Sequence, residues 1–415
     1  MVPKSRIGFG LAGNRALLAC LAFLPFNCLS AQDIMAPTEG LVRLMPADAA
    51  ILESTENRKD LPCTVTPEKA ALGFDLKFHL GYEVTVPIKE LVGTDNQLTM
   101  VFRVTPENHP DGIYFSQHFQ VPAIDRDEGG PAYLNGAFNV GEGKYHIDWL
   151  MRDRAERMCS FHWDSEANLP AKDKQMTLDI AAGTVQTVDP EIFKQDPPIQ
   201  REQKPAPLNV KVMVNFAPQD ANSAALQPLD SRALLSMLRS ISREPRISKF
   251  SVVAYNMQQQ KVIYRQDEAS QIDFPALGQA VKALHLGTVD LKHLVQKHSD
   301  TDFLTQLMTN EIKDPKDNLD ALIFAGPKVM LEDGVSLDTL KQLSDVKFPV
   351  FYMNYNANPQ MNPWRDAIGN AVRILKGAEY TISRPRDLFF AWSEIMGRIV
   401  KSKVGRAATA EAALH

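Results

Sequence analysis

Few residues in this sequence have the types and the spacing that metal binding or catalysis requires. Asp125, Asp127 and Glu128 precede two glycines and resemble a fragment of a calcium loop. A complete loop needs a bidentate glutamate at its twelfth position, where this chain has Gly136. We therefore interpret the segment as a solvated turn between two strands.

The histidines and the nucleophilic side chains are not arranged in a way that predicts a catalytic centre. His293 and His298 lie five residues apart, so on a helix they point to different sides, and His285 precedes both. The sequence has no G-x-S-x-G turn, and neither Cys63 nor Cys159 has an adjacent basic helix start. The sequence therefore predicts a protein that is not an enzyme.

A different candidate is the segment VMVNFAPQD (212–220), which predicts a buried strand that runs into a turn. Asn215 is an amide among apolar residues, at a place where a strand of this kind can end on a metal-binding aspartate. A hard cation such as Mg²⁺ needs oxygen ligands, and one or two of them are usually carboxylates. The amide therefore predicts a site without a tightly bound metal ion, and we expect no cofactor.

The composition and the length predict a soluble protein of two domains. The chain has 415 residues, of which 44% are hydrophobic and 23% are charged. Residues 1–31 contain three bases, no acid and an apolar run at 16–26, which predicts a cleaved signal peptide. No later segment is long and apolar enough to span a membrane. We therefore expect a secreted or periplasmic protein.

The charge balance excludes some classes of partner. Without the three bases of the predicted signal peptide, the chain keeps 42 bases against 50 acids. An acidic balance without a basic block argues against binding to nucleic acid and to anionic membranes.

Residues 32–163 have the alternation of an antiparallel β-sandwich. Apolar residues alternate with polar ones at 81–88, 98–104 and 145–151, and turn-forming segments separate these runs. By this pattern the domain is similar to immunoglobulin-like modules. Cys63 and Cys159 are the two cysteines beyond the signal peptide, and in an oxidising compartment we expect them to form a disulfide. The alternative is two separate buried thiols.

The remainder of the chain changes character twice. Residues 164–207 are rich in proline and polar side chains, which predicts a connector. From 208 to 403 strand-like and helix-like segments alternate, which predicts a doubly wound α/β domain with a mostly parallel sheet. We expect residues 404–415 to form a disordered tail.

Residues 208–403 resemble the von Willebrand factor type A domain, and the resemblance rests on the order of the pieces. The pieces are a first strand LNVKVMVNF (208–216), a helix (230–244), a strand hairpin (249–266), LGTVDL (286–291), a strand DALIFAGP (320–327), a strand FPVFYMNYN (348–356) and a closing segment KGAEYTISRPRDLFFAWSEI (376–395). The resemblance implies an α/β fold with a divalent-cation site at the carboxyl end of its sheet.

In that family the ligands come from an Asp-x-Ser-x-Ser turn, a loop threonine and an aspartate after the fourth strand. Here Asn215, Ala217 and Gln219 occupy the turn, and Thr288 matches the loop threonine. The fourth strand has Ala325 near the place of the aspartate. One neutral ligand of five remains, so the resemblance implies a degenerate site.

Two details leave that conclusion open to alternatives. If the alignment shifts by one or two places, Asp220 or Asp290 could supply a carboxylate, and the chain would be an ion-dependent adhesin. The segment NYNANPQMNPW (354–364) follows the predicted fifth strand, and Asn354 and Tyr355 at its start are candidate contacts with a ligand. The alternative is that this segment is only a long polar connector.

We therefore expect a secreted, non-enzymatic binding or adhesion protein. Its partner would be a protein or a cell-surface component, recognised without a metal ion by the loops at the carboxyl end of the sheet. A hydrolase with acids scattered in the sequence is an alternative. Phe389, Phe390 and Trp392 lie on one predicted helix, where we expect core packing and keep a hydrophobic docking face as the alternative.

Overall fold

The computed structural model describes residues 32–35, 44–54, 56–94, 96–109, 111–202, 207–220, 223–284, 286, 298–313, 318–331 and 334–412. The predicted signal peptide (1–31) and the residues Thr288, His285, His293 and Asp290 lie outside this description. The described residues form two compact units. Of the described residues, the first unit comprises those up to Lys69 together with Leu80–Phe138 and Lys144–Ser165, and the second comprises Ala70–His79, Asn139–Gly143 and those from Glu166 onward.

The first unit is an antiparallel β-sandwich built from alternating strands. In the strand Phe78–Pro87 buried and partly exposed residues alternate throughout, so that Leu80, Tyr82 and Val84 all point into the core. The antiparallel strands are β1 (Gln32–Met35), β2 (Thr64–Pro67), β3 (Ala71–Leu72), β4 (Phe78–Pro87), β5 (Gln97–Pro106), β6 (Ile113–Gln120), β7 (Pro131–Val140), β8 (Gly143–Arg152), β9 (Met158–Ala167) and β10 (Val185–Gln186). Strands β3 and β10, the first residues of β4 and β8 and the last residues of β7 and β9 belong to the second unit.

Two sheets supply the sandwich. One has the order β1-β6-β5-β8-β9, and the other has the order β10-β7-β4-β2 with β3 beside β4. Aromatic side chains join them: the ring of Tyr82 on β4 lies 6.1 Å from those of Phe102 on β5 and Trp149 on β8. A short helix, α1 (Pro46–Leu52), packs Leu52 against the outer face of β5 and β8.

The disulfide between Cys63 and Cys159 is present, with the two Cα atoms 6.3 Å apart. It joins residues 96 positions apart in the sequence and lies beside a bridge between Lys59 and Cys159. The predicted pairing of these cysteines is therefore confirmed.

The second unit contains a six-stranded mixed sheet in the order β13-β12-β11-β14-β15-β16. The pairs from β12 to β16 are parallel, whereas β12 and β13 form an antiparallel hairpin. The strands are β11 (Leu208–Asn215), β12 (Ile247–Asn256), β13 (Lys261–Ala269), β14 (Ala321–Pro327), β15 (Val350–Tyr355) and β16 (Ala378–Ile382).

Helices cover this sheet, and the strands at its centre are buried on both sides. Every residue of β14 and β15 is buried, which explains their continuous apolar sequence. Two separate hydrophobic clusters result, one containing Val212 and Leu238 and the other containing Met213 and Met308. The helices are α2 (Pro228–Ser242), α3 (Phe274–Lys282), α4 (Ser299–Lys313), α5 (Leu337–Gln342), α6 (Ala367–Ile374) and α7 (Pro385–Ala412).

The predicted fold class is wrong. Antiparallel β-structure dominates the described chain, and the C-terminal sheet is mixed, with one antiparallel pair beside its parallel pairs, so it is not the doubly wound sheet that we predicted. The antiparallel pair is the hairpin that the sequence predicted at 249–266. Its turn contains Gln260 with a φ of +48°, and β13 returns directly as an edge strand without the helical crossover that a parallel strand needs.

Two other segments differ from the sequence interpretation. The stretch predicted as a connector (164–207) carries packed residues: Phe193 is buried, and a Cβ built on Gly278 would lie 2.5 Å from its ring. Helix α7 continues to Ala412, so most of the predicted disordered tail (404–415) is helical. Its alanines favour the helix. Among the described residues, no helix is long and apolar enough to cross a membrane.

Candidate functional site

The carboxyl ends of β11, β14 and β15 lie at one edge of the mixed sheet, because these three strands are parallel. They end at Asn215, Pro327 and Tyr355. The loops that follow them therefore emerge together, and every described residue that the sequence assigned to a site belongs to this edge. Thr288 lies outside the described residues.

Asn215 has a structural role in the described structure. Its side chain is 1% exposed, and its Oδ1 accepts a hydrogen bond from the backbone N–H of Met257 at 3.2 Å. Gly326 packs against it with a φ of +145°, and a Cβ at Gly326 would lie 2.8 Å from the Cβ of Asn215. The neighbouring strands are too close at this point for a side chain. The amide therefore holds the turn after β12.

The other residues of the predicted degenerate site are also enclosed. Ala217 and Ala325 are buried, and Gln219 is partly buried. The backbone N–H of Gln219 donates a hydrogen bond to Oδ2 of Asp230 at 3.4 Å. Burial, followed by the charge of Asp230, raises the pKa of the Tyr355 hydroxyl above its ordinary value, so Tyr355 stays protonated at neutral pH.

Asn354 and Tyr355, the predicted contact residues, are not accessible. Their exposed fractions are 0% and 1%. The amide of Asn354 donates a hydrogen bond to Glu379 at 2.8 Å, and the other oxygen of Glu379 lies 3.1 Å from Nε of Arg365. Both predicted contact residues are buried at the end of β15, where the loop that follows it begins. They therefore cannot contact a partner protein directly.

The accessible residues of this edge include three large apolar side chains among polar ones such as Asn358, Gln360 and Arg365. Met361 is 85% exposed, Trp364 is 70% exposed and Met330 is 53% exposed. We call these three side chains the edge patch. They lie on two loops, one after β14 and one after β15. The sequence analysis singled out the segment 354–364, which contains Met361 and Trp364, but it named only Asn354 and Tyr355 as contacts. The non-periodic QMNPW stretch (360–364) was a signal, because a tryptophan there has no helical or strand pattern that would bury it.

A lysine and an aspartate join the two loops of the edge patch. The ammonium of Lys328 donates hydrogen bonds to the backbone carbonyl of Asn362 at 2.7 Å and to that of Trp364. Asp366 accepts from the N–H of Val329 at 2.7 Å and also caps α6. The exposed side chains therefore stand on a loop whose backbone is held in place.

Asp366 is buried beneath the loops, with 1% of its surface exposed. Burial raises the pKa of Asp366, although hydrogen bonds from two backbone N–H groups and from the hydroxyl of Tyr352, at 3.0 Å, oppose that effect. Within the described residues, no group of three or more histidine, cysteine, aspartate or glutamate side chains could hold a metal ion.

A cluster of titratable groups around His146 lies on the surface of the first unit. His146 lies between two carboxylates, with Nδ1 2.7 Å from Asp164 and Nε2 3.2 Å from Asp148, and Asp148 also pairs with Arg103. Burial alone would lower the pKa of His146, but the two carboxylates raise it above its ordinary value. Both ring nitrogens are engaged by carboxylates, so the cluster is an ion-pair network.

Comparison with known proteins gives no family. No model of a protein family matches the chain, and no curated protein matches it. Among solved structures, the chain is similar to the PilB minor pilin from Streptococcus sanguinis at 9% identity, over 73% of this chain and 87% of the pilin, with a TM-score of 0.26.

Two further structures are similar at the same low level. The structural genomics target SoR45 is 13% identical, over 27% of this chain and 84% of the target, with a TM-score of 0.16. A calcium-binding mutant of β-glucuronidase 2 from Bacteroides uniformis is 7% identical, over 72% of this chain and 34% of the enzyme, with a TM-score of 0.16. These scores carry no conclusion about fold or function.

Proposed function

We propose that this chain is an exported, non-enzymatic protein that binds an apolar segment of a partner protein through the edge patch. The observation that carries the proposal is the exposure of Trp364 and Met361 on a loop that Lys328 holds in place. Tryptophan and methionine are enriched in protein interfaces, and exposed apolar patches on soluble proteins often mark interaction sites.

The loop after β15 has a backbone that hydrogen bonds hold in place, and this order lowers the entropic cost of binding a partner. A loop that is already ordered loses little freedom when a partner docks on it. The carbonyls of Asn362 and Trp364 are tied to Lys328, and the guanidinium of Arg365 is tied to Glu379. Large side chains on such a loop are suited to be the few residues that contribute most of the binding energy.

Export is part of the same proposal. The disulfide between Cys63 and Cys159 supports it, since disulfides persist in oxidising compartments and are rare in the cytosol. Recognition without a metal ion is supported by the neutral, enclosed side chains of Asn215, Ala217 and Ala325. The resemblance to von Willebrand factor type A domains stays a prediction.

Quantitative capture from an envelope extract tests this proposal. The full chain is immobilised as wild type, as the double variant Met361→Ser/Trp364→Ser, and as Val404→Ser. Val404 is a matched control because it is 53% exposed and its neighbour Lys403 pairs with Asp320, at the amino end of β14.

The wild type and Val404→Ser should capture the same protein saturably. The double variant should bind it at least about tenfold more weakly, as expected for the loss of central interface residues. Equal thermal unfolding of the three proteins shows that folding is unchanged. Equal capture by all three would contradict the proposal.

A further inference from the structure

A second surface feature lies apart from the edge patch, within the second unit. A cleft of about 820 Å³ runs between α2 and α7 and is closed by segments 71–79 and 187–197. Its volume lies in the range of small-molecule sites, about 300–1,000 Å³. Residues three or four positions apart lie on the same face of a helix. Arg232, Ser236 and Arg239 therefore line the cleft together from α2. Phe389 and Trp392 line it together from α7.

The wall on α7 is apolar and aromatic. Phe389 and Trp392 are both partly exposed, and Phe74 adds a third ring from the facing segment. Phe74 is itself held by an edge-to-face contact with Tyr355, with ring centroids 6.0 Å apart. The sequence analysis expected Phe389 and Trp392 to pack in the core, but they leave part of their rings facing this cleft. Such a wall suits the flat, apolar body of a ligand.

The charges along the cleft are almost all compensated inside the protein. Each lining carboxylate has a basic partner: Asp75 with His79, Asp179 and Asp196 with Arg243, Asp189 with Lys194, Glu191 with Lys282, and Glu244 with Arg246. Arg239 donates to the backbone carbonyls of Ile192 and Lys194.

Two lining cations are not paired with a carboxylate in the described structure. Lys77 donates to the side-chain oxygen of Gln186 at 3.3 Å, whereas Arg232 is exposed and makes no ion pair with any described residue. The guanidinium of Arg232 can therefore receive an anion from outside without breaking a contact, and a planar guanidinium matches a carboxylate or sulfonate with two parallel hydrogen bonds.

A buried acceptor supplies an independent indication of a ligand. Asn139 is 4% exposed and lines the cleft, and its Nδ2 donates to the carbonyl of Thr187 at 3.1 Å. Its Oδ1 is buried and has no hydrogen-bond partner among the described residues. A buried acceptor without a partner destabilises the folded protein, because it loses its hydrogen bond to water and gains none. A ligand that brings an N–H or O–H donor would remove that destabilisation.

We infer that this cleft binds a small organic anion with a flat apolar body and one hydrogen-bond donor. The rings of Phe74, Phe389 and Trp392 receive the body, Arg232 receives the anionic group, and Oδ1 of Asn139 accepts from the donor. This inference is independent of the partner-binding proposal, because none of these residues belongs to the edge patch.

Two fluorescent probes test the contact with the anionic group separately from the contacts with the apolar body. 8-Anilinonaphthalene-1-sulfonate carries two aromatic groups, one N–H and a sulfonate, and N-phenyl-1-naphthylamine is the same compound without the sulfonate. The full wild-type protein should bind the sulfonate at one site and about tenfold more tightly than the neutral amine, the size expected for one charge-assisted contact.

Variants then assign the contacts. Arg232→Ala should weaken the sulfonate about tenfold and leave the amine unchanged, whereas Arg373→Ala, an exposed helical arginine outside the cleft, should change neither. Asn139→Leu should weaken both probes severalfold, since both carry the N–H. Unchanged sulfonate binding in Arg232→Ala would overturn the anion assignment, and unchanged binding of both probes in Asn139→Leu would overturn the donor assignment.

Energy transfer from tryptophan locates the bound probe. Trp392→Phe should remove a large part of the transfer, and Trp364→Phe should leave it nearly intact, because Trp364 belongs to the edge patch. The opposite result would place the probe on the edge patch and would overturn the inference about the cleft.

Discussion

Lys211 and Glu311 form an ion pair that is almost completely shielded from water, with side chains 1% and 3% exposed. Their charged atoms lie 3.0 Å apart, and Arg265 also donates to Glu311. Lys211 stands in the middle of β11, in a strand that is otherwise mainly apolar. A buried pair of this kind adds little net stability, but removing one partner leaves the other charge buried and uncompensated.

We therefore expect Glu311→Gln to lower the free energy of unfolding by about 3–5 kcal/mol. Urea denaturation measures the change. The control is Glu394→Gln, whose ion pair with Arg398 is about half exposed and whose loss should cost about 1 kcal/mol or less. A loss at Glu311 no larger than that at Glu394 would contradict the account of this pair.

The same pair predicts a dependence of stability on pH. Burial alone would raise the pKa of Glu311, but the hydrogen bonds and charges of Arg265 and Lys211 lower it overall. Because the folded pKa lies below the unfolded value of about 4.3, the contribution is fully present above that value. It is lost as the pH falls through the folded pKa. Glu311→Gln should therefore show a weaker fall in stability below about pH 4.3.

At the scale of elements, the two loops of the edge patch depend on a few polar contacts. Lys328 donates to two carbonyls of the loop 356–366, and Asp366 accepts from the loop after β14. A hydrogen bond that involves a charged group contributes about 1.5–3 kcal/mol. One of the two bonds of Lys328 is exposed, so we expect the two together to contribute about that much. The loop after β15 should therefore have slow amide exchange for a segment without regular structure.

Lys328→Met should remove these bonds while keeping the length of the side chain. We expect faster hydrogen exchange in residues 356–366 and a loss of about 1.5–3 kcal/mol of stability. Lys341→Met is the control, because Lys341 is 71% exposed and its ion pair with Asp338 is 3.7 Å long. If exchange in the loop is equal in the two variants, Lys328 does not hold it.

At the scale of the molecule, the disulfide links an early segment of the sandwich to its last strand. The bridge closes a loop of 96 positions, for which loop entropy predicts a contribution of about 4–5 kcal/mol before strain. The double variant Cys63→Ala/Cys159→Ala should unfold the first unit at a clearly lower urea concentration than the oxidised wild type. An unchanged midpoint would show that the bridge does not stabilise that unit.

The alternating strands were predictable because alternation is visible within a few neighbouring residues. The disulfide was predictable because few cysteines were available to pair. The runs at 98–104 and 145–151 became β5 and β8, and only two cysteines lay beyond the signal segment. The fold class of the C-terminal sheet was not predictable with the same success. The hairpin at 249–266 was predicted, but the order of segments alone did not show that its second strand makes the sheet a mixed one.

The site residues that the sequence predicted lie at the same edge as the proposed edge patch, but the two predicted contact residues are buried. Polarity suggested that Asn354 and Tyr355 were accessible, yet they are buried because they still belong to β15. The exposed residues, Met361 and Trp364, are apolar and were therefore not selected. The backbone of the loop that carries them accepts hydrogen bonds from Lys328, which lies more than thirty residues away in sequence and has no local pattern that reveals its role.

Site-specific crosslinking tests the central claim most directly. A photoreactive p-benzoylphenylalanine replaces Trp364 in one full-length protein and Val404 in another, and each is irradiated in an envelope extract. We predict one discrete crosslinked partner protein from position 364 and none from position 404. Equal crosslinking at both positions, or none at position 364, would contradict recognition through the edge patch.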